Sequence, residues 1–123
     1  MTDLDAKSWE DVDAMSLRFL GKNGSKVGDC PSLFATSRDT YLIQGWRTEN
    51  PETVEIPYVL LGYTEPDTFI GSPMADTGRG TFTLSGRPIT ERDTLDQLTM
   101  ESYETAIEVP KNRRAFYGGA ETE

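Results

Sequence analysis

The strongest pattern in the chain is an apolar segment that combines aromatic and β-branched side chains. Residues 40–47 (TYLIQGWR) carry a continuous apolar run at their centre, which predicts a strand buried on both faces. Shorter segments of the same character, some with alternating apolar and polar residues, predict further strands over residues 32–36, 53–63, 80–85 and 104–110.

Proline and glycine define where these strands are interrupted. Pro57 lacks an amide N–H, so an edge position or a bulge is expected within the second long strand. Pro110 is expected to end the last strand, and Asn50-Pro51 marks a turn. Residues 64–79 contain several prolines and glycines and are expected to be irregular.

Two segments have helical spacing. Residues 9–20 place Trp9 and Phe19 on one helical face, and residues 90–100 begin with Thr90 as a candidate N-cap. The predicted fold is α+β, with a small mixed or antiparallel sheet of four to five strands and one or two packed helices. The predicted core consists of Phe34, Tyr41, Ile43, Val54, Ile56, Phe82, Leu84, Leu95, Leu98, Ile107 and Val109.

A short pattern occurs twice along the chain. Residues 38–45 (RDTYLIQG) align with residues 79–86 (RGTFTLSG), and residues 52–57 (ETVEIP) align with residues 104–110 (ETAIEVP) when one extra residue is allowed. Two related half-units packed face to face would explain this pattern, because neither could bury its apolar side alone. Chance similarity between short strands is the alternative.

Length and polar ends indicate one domain. A chain of 123 residues fits a single globular unit, expected over residues 9–117. Residues 1–8 and 118–123 are polar and are expected to be disordered. A single cysteine excludes a disulfide within the chain. The N-terminal segment lacks the basic start and apolar run of a secretory signal, so a cytoplasmic location is expected.

Charge restricts the class of partner. Acidic residues outnumber basic residues 21 to 12, for a net charge of −9. Phosphate backbones and anionic lipid surfaces repel such a protein, so direct binding to nucleic acid or a membrane is not expected. A basic partner would be attracted at low salt.

The residues that usually carry catalysis are scarce. The chain contains no histidine, the commonest general base and metal ligand. Cys30 follows Asp29, which disfavours a thiolate, and is expected to be a small buried side chain. We therefore predict no catalytic residue, no metal site, no cofactor and no enzymatic activity.

A few aromatic and basic residues remain as candidates for interaction. Trp46 beside Arg47 is typical of interface anchors, although a core tryptophan is the alternative. An exposed patch is expected around Tyr58, Leu60 and Tyr63, or around Phe116 and Tyr117. The basic run 111–114 (KNRR) would bind an acidic partner or the chain's own acidic N-terminus. The candidate interaction residues are Trp46, Arg47, Tyr58, Tyr63, Arg113 and Arg114.

Residues 30–57 resemble a group of short actinobacterial proteins. The shared segment is CPSLFAT followed by RDTYLIQGW, against a family pattern close to CPTLYxTDRGTYVVQGW and a later ETVVEVP. Residues 79–110 resemble the later part of that pattern more loosely, and Ser37 and Arg87 depart from its aspartate and tryptophan. Such proteins are typically encoded near helix-turn-helix regulators. The resemblance therefore implies an accessory role in regulation and supplies no catalytic residues.

The leading hypothesis is a non-enzymatic protein-interaction module, accessory to a bacterial transcription regulator. Its partner would be another protein or a second copy, for example a homodimer formed through an open sheet edge. One alternative is a small-ligand binder with a pocket between the half-units, near Gln44 or Arg87. A carboxylate-based enzyme and an acidic mimic of DNA are further alternatives.

Overall fold

The fold is a sheet-rich domain in which antiparallel strands dominate. The structure, a computed structural model, describes residues 15–23 and 31–114. Within these ranges it contains one 3-10 helix, Tyr58–Tyr63, and one short α-helix, α1 (Arg92–Leu95). The strands are β1 (Leu17–Lys22), β2 (Ser32–Thr36), β3 (Thr40–Arg47), β4 (Thr53–Pro57), β5 (Thr68–Ile70), β6 (Met74–Asp76), β7 (Thr81–Ser85), β8 (Arg87–Pro88) and β9 (Glu104–Arg113).

This architecture corrects the predicted number of strands. Nine strands are present in the described residues where four to five were expected. Of the four additional strands, β5, β6 and β8 have only two or three residues, too few to produce a visible apolar period. Two of them lie within residues 64–79, which were expected to be irregular.

Strand β3 is the centre of the sheet. It pairs with β2 along one edge and with β9 along the other, and its last residues also pair with β4. Strand β4 continues to β7, and β7 continues to β6. Strand β9 also pairs with β8 and β5.

The core lies on both faces of β3. Tyr41 and Ile43 belong to the larger buried cluster, whereas Leu42 belongs to a smaller cluster with Met15 and Ile89. The prediction that β3 is buried on both faces is therefore confirmed. The predicted core is largely confirmed too: the members only partly buried against these clusters are Phe34, Phe82, Leu95 and Leu98.

The helix predicted over residues 9–20 is wrong where the structure describes it. Residues 17–20 belong to β1, which pairs with β2 and contains a bulge between Phe19 and Gly21. The long-range pairing outweighs the local helical spacing, as commonly occurs at a sheet edge. Residues 9–14, including Trp9, lie outside the described residues.

The helix predicted over residues 90–100 is much shorter than expected. It covers only Arg92–Leu95, and its N-cap is Glu91 rather than Thr90. The chain then turns, and the Gln97 side chain accepts from the Leu17 N–H at the start of β1 and donates to the Met15 carbonyl oxygen just before it. The Gln97 side chain thus links residues 96–100 to the sheet. Further helical turns were expected in these residues.

The two strand prolines differ in how they meet the predictions. The ladder between β3 and β4 covers only Val54 and Glu55, so at Pro57 the strand pairs with β7 alone and the proline has the expected edge position. Pro57 is the last residue of β4, directly before the 3-10 helix. Pro110 does not end β9, which continues to Arg113. Beyond Pro110 the strand pairs with β5 instead of β3, so the missing N–H falls where the partner strand changes.

The repeated sequence pattern corresponds to a repeated register. Aligning Gly45 with Gly86 and Pro57 with Pro110 superimposes the β9–β3 ladder on the β4–β7 ladder, pair for pair. Each half contributes one strand to each ladder, so the two halves are joined through both ladders. The matching pairs are Gln44–Ala106 with Ser85–Thr53, Ile43–Ile107 with Leu84–Val54, Leu42–Glu108 with Thr83–Glu55, Tyr41–Val109 with Phe82–Ile56, and Thr40–Pro110 with Thr81–Pro57.

The hydrogen bonds at the two hairpin turns repeat as well. Thr36 and Thr40 are joined by a hydrogen bond of 2.6 Å between their Oγ1 atoms, and Thr40 donates to the Glu108 carboxylate at 2.6 Å. The corresponding residues of the other half are Thr77, Thr81 and Glu55, whose bonds are 2.6 and 2.5 Å long. The residue before the second threonine has a positive φ in both turns, 61° at Asp39 and 86° at Gly80.

Candidate functional site

The outer edge of β6 is open within the part of the chain that the structure describes. Strand β6 pairs there only with β7, and all three of its residues are exposed. The Thr77 N–H donates to the Thr81 carbonyl oxygen at 3.0 Å. Because antiparallel ladders alternate, the backbone N–H and C=O groups of Met74 and Asp76 point away from β7. An incoming strand could bind these groups.

Tyr58 connects this edge to the start of the 3-10 helix. Its hydroxyl donates to Asp76 Oδ1 at 2.5 Å, and its ring centroid lies 4.6 Å from that of Phe82. This hydrogen bond is the largest cause of the lowered pKa of Asp76, and it also raises the pKa of Tyr58. The arrangement holds a tyrosine ring beside a carboxylate that stays charged near neutral pH.

We use the term β6 surface for Met74, Ala75 and Asp76 of β6, together with Tyr58, which binds Asp76, and Val59, which follows Tyr58 in the 3-10 helix. Tyr58, Val59 and Met74 are large hydrophobic side chains left exposed to solvent. A shallow cleft of about 340 Å³ adjoins β6, and hydroxyl side chains from neighbouring segments line much of it: Thr53, Ser72, Thr83 and Ser85. The β6 surface thus combines apolar contacts, unpaired backbone groups and one negative charge.

Sequence reasoning identified Tyr58 but missed β6. Three residues cannot establish a period, and Gly78 within residues 64–79 and Gly80 directly after them gave the segment the composition of a loop. Both glycines have positive φ, which is typical of a tight hairpin turn. The available signal was the repeat itself, since TGRGT over residues 77–81 corresponds to TSRDT over residues 36–40, a turn that follows a predicted strand.

The patch predicted around Tyr58, Leu60 and Tyr63 is not one surface. Leu60 is fully buried in the larger core cluster, which corrects its assignment as an exposed residue. Tyr63 lies at the far end of the 3-10 helix and packs on Gly21 of β1. Phe116, Tyr117 and Cys30 lie outside the described residues.

The other predicted interaction residues lie at opposite ends of the β3–β9 ladder. Trp46 is half-buried at one end, and Arg47 Nε donates to the Ser102 carbonyl oxygen at 2.8 Å. Arg113 lies beyond the other end, where it donates to both oxygens of Asp39 at 2.7 Å. The structure therefore does not bring the six candidates together.

Gln44 and Arg87, the polar residues expected near a pocket, both bind carboxylates of their own chain. Gln44 is buried, and its amide donates to the Thr99 carbonyl oxygen and to Glu104. Arg87 donates to Glu108 and forms an ion pair with Glu91. Neither side chain lines the cleft beside β6 or a second cleft that is formed around Glu65 and Lys111.

A second feature is a charged cleft of about 450 Å³, formed by Arg18, Asp39, Glu65 and Lys111 together with small residues of β2. Glu65 forms ion pairs with Arg18 and with Lys111, the latter at 2.5 Å. Lys111 also lies 3.2 Å from Asp39, and its side chain is only 6% exposed. Residues of the basic run 111–114 thus bind carboxylates of their own chain. An acidic partner was one of the two expectations for this run.

The ion pairs of the charged cleft shift the pKa values of its members. The hydrogen bond from Arg113 lowers the pKa of Asp39, and the hydrogen bond from Lys111 lowers that of Glu65. Burial acts to lower the pKa of Lys111, but its hydrogen bonds to Glu65 and Asp39 outweigh burial and raise it. All three groups are therefore charged near neutral pH.

These shifts predict a loss of stability in acid. The folded pKa values of Asp39 and Glu65 lie below the ordinary values of 3.8 and 4.5, so their contribution is complete above those values and is lost as the pH falls through the lowered pKa. The raised pKa of Lys111 places its contribution below 10.5, to be lost only as the pH rises through the raised value. Between about pH 5 and 10 the cluster is fully stabilising.

The expected result is that Lys111→Met shows a smaller difference in unfolding free energy between pH 7 and pH 3 than the wild type, measured by urea denaturation. Arg92→Met is the matched control, because Arg92 is an exposed cation on α1 outside the cleft. It should show the wild-type difference. An identical difference in all three proteins would show that the cluster does not contribute to the acid sensitivity.

The structure describes neither a membrane span nor a metal cluster in residues 15–23 and 31–114. No helix there is long and apolar enough to cross a bilayer, and no group of three or more histidine, cysteine or acidic side chains could hold a metal ion. Comparison of the chain with protein-family models, curated proteins and solved structures finds no significant match.

Proposed function

We propose that this chain is a non-enzymatic protein-interaction module that binds its partner through the β6 surface. The observation that supports the proposal most directly is the open edge of β6, which carries exposed Met74 and is bonded through Asp76 to exposed Tyr58. Tyrosine is enriched among residues that dominate binding energy, because its ring fills a pocket while its hydroxyl keeps a polar contact. In the proposed role, the partner is a component of bacterial transcription control.

The test places a photo-crosslinking amino acid at position 59, whose side chain is exposed on the β6 surface. The same amino acid at position 103 is the control, because Tyr103 is equally exposed but precedes β9 near Arg47. We expect a protein partner to be captured in the native host from position 59 and not from position 103.

The captured partner is then purified and its affinity measured. Tyr58→Ala should weaken binding at least about tenfold, as expected for an anchoring aromatic residue. Tyr58→Phe keeps the ring against Phe82 but loses the hydroxyl bond to Asp76, and it should retain most of the affinity. Equal capture from both positions, or an unchanged dissociation constant for Tyr58→Ala, would contradict the proposal.

A further inference from the structure

The repeated register identifies what is missing beside β6. When the two halves are aligned, Leu33, Phe34 and Ala35 of β2 occupy the places of Met74, Ala75 and Asp76 of β6. Strand β1 covers the outer edge of β2. No described strand covers the equivalent edge of β6. The same local structure is therefore completed in one half and left open in the other.

The way in which β1 binds β2 defines the chemistry of a strand that would complete β6. Arg18 lies opposite Ala35, and Phe19 lies opposite Phe34 with their ring centroids 5.7 Å apart. In the half that contains β6, Asp76 takes the place of Ala35. The residue of an added strand that lies opposite Asp76, as Arg18 lies opposite Ala35, would therefore face a carboxylate. Opposite charges on facing strand positions stabilise the pair, which favours lysine or arginine there.

From this correspondence we infer that the open edge of β6 accepts an extended basic segment of a partner protein, which pairs antiparallel with Met74–Asp76 as β1 pairs with β2. The inference rests on the proposed function and specifies its partner. Overall charge supports a basic occupant, because a net charge of −9 attracts cationic segments and opposes a second copy of the same chain. Backbone pairing supplies affinity, while Asp76 and the apolar side chains of the β6 surface supply selectivity.

A suitable probe is a labelled peptide with the sequence of residues 16–22, SLRFLGK, which is basic and has the conformation of an edge strand in this protein. The Ser37 N–H donates to the Ser16 carbonyl oxygen at 2.9 Å. By ladder alternation, the Arg18 amide then faces the neighbouring strand and the Leu17 amide faces outward. N-methylation of the peptide at the arginine amide should weaken its binding to the full chain at least about tenfold, because the pairing N–H is lost.

The matched control is the same peptide N-methylated at the preceding leucine amide, which should bind like the unmodified peptide. Two protein variants test the other side of the contact. Met74→Pro removes an outward N–H and should abolish binding, whereas Met74→Ala keeps that N–H and should bind at least ten times more tightly than Met74→Pro. Asp76→Asn retains an acceptor for Tyr58 and should weaken binding several-fold, with a smaller dependence on salt.

Several outcomes would overturn the inference. They are equal affinity of the two N-methylated peptides, unchanged binding by Met74→Pro, and dimerisation of the full chain in light scattering that Met74→Pro abolishes. The last outcome would assign the edge to a second copy. A partner crosslinked from position 59 that still binds Met74→Pro would sustain the proposed function while overturning this inference, so the two proposals fail separately.

Discussion

We expect the Gly86→Ala variant to lose about 3 kcal/mol of unfolding free energy, the upper part of the range for overpacked interiors. A Cβ atom at Gly86 would lie 2.5 Å from the Glu108 carbonyl oxygen and 2.7 Å from Val109 Cγ1. The oxygen belongs to the backbone of β9, which is held in ladders with β3 and β8 and cannot move away freely. The measurement is urea denaturation at neutral pH.

Gly62→Ala is the matched control. Nothing lies within 4 Å of a Cβ atom placed at Gly62, so its unfolding free energy should stay within about 0.5 kcal/mol of the wild type. The equivalent glycine of the other half, Gly45, has its nearest contact at 2.9 Å, and Gly45→Ala should therefore cost less than Gly86→Ala. Equal stability of Gly86→Ala and Gly62→Ala would show that the close approach of β9 is not as described.

Sequence patterns predicted the strands that form the centre of the sheet. The apolar run at Tyr41–Ile43 needed little context, because a strand buried on both faces requires apolar residues at every position. Edge strands carry less information. The residues of β1 alternate only weakly, and its conformation depends on pairing with β2, which no local pattern encodes.

The candidate site was harder to predict than the fold. Tyr58 was identified as an aromatic residue in an apolar segment, but its neighbours in the β6 surface come from a strand about sixteen positions further along the chain. Their proximity depends on the β4–β7 ladder, which is a long-range contact. The partners of Gln44 and Arg87 depend on long-range contacts in the same way, since their pairing with Glu104 and Glu108 is visible only in the folded chain.

The internal repeat carries information that neither half carries alone. Positions that match in both halves, such as the two threonine–carboxylate clusters, are explained by folding, because both halves need the same turn and the same ladder. Positions that differ have no such common explanation. The presence of β1 beside β2 and the open edge of β6 are the largest difference of this kind, and it coincides with exposed aromatic and apolar residues.

Leu60 and Val59 provide the clearest separation between folding and binding. They are adjacent in the 3-10 helix, but Leu60 is 0% exposed in the larger core cluster and Val59 is 47% exposed on the β6 surface. Leu60→Ala should lower the unfolding free energy by about 2–5 kcal/mol, through lost burial and the cavity left behind. Val59→Ala should change it by less than about 0.5 kcal/mol.

Binding should follow the opposite order when both variants are measured under conditions where they are folded. Val59→Ala removes an exposed side chain from the β6 surface and should weaken partner binding, whereas Leu60→Ala should bind like the wild type once its folded fraction is taken into account. Denaturation curves and affinities of the same two proteins provide the comparison. A Leu60→Ala protein as stable as the wild type would mean that the 3-10 helix does not close the core. Wild-type affinity of Val59→Ala would instead remove Val59 from the contact while leaving the fold unchanged, because its side chain contributes little to the buried clusters.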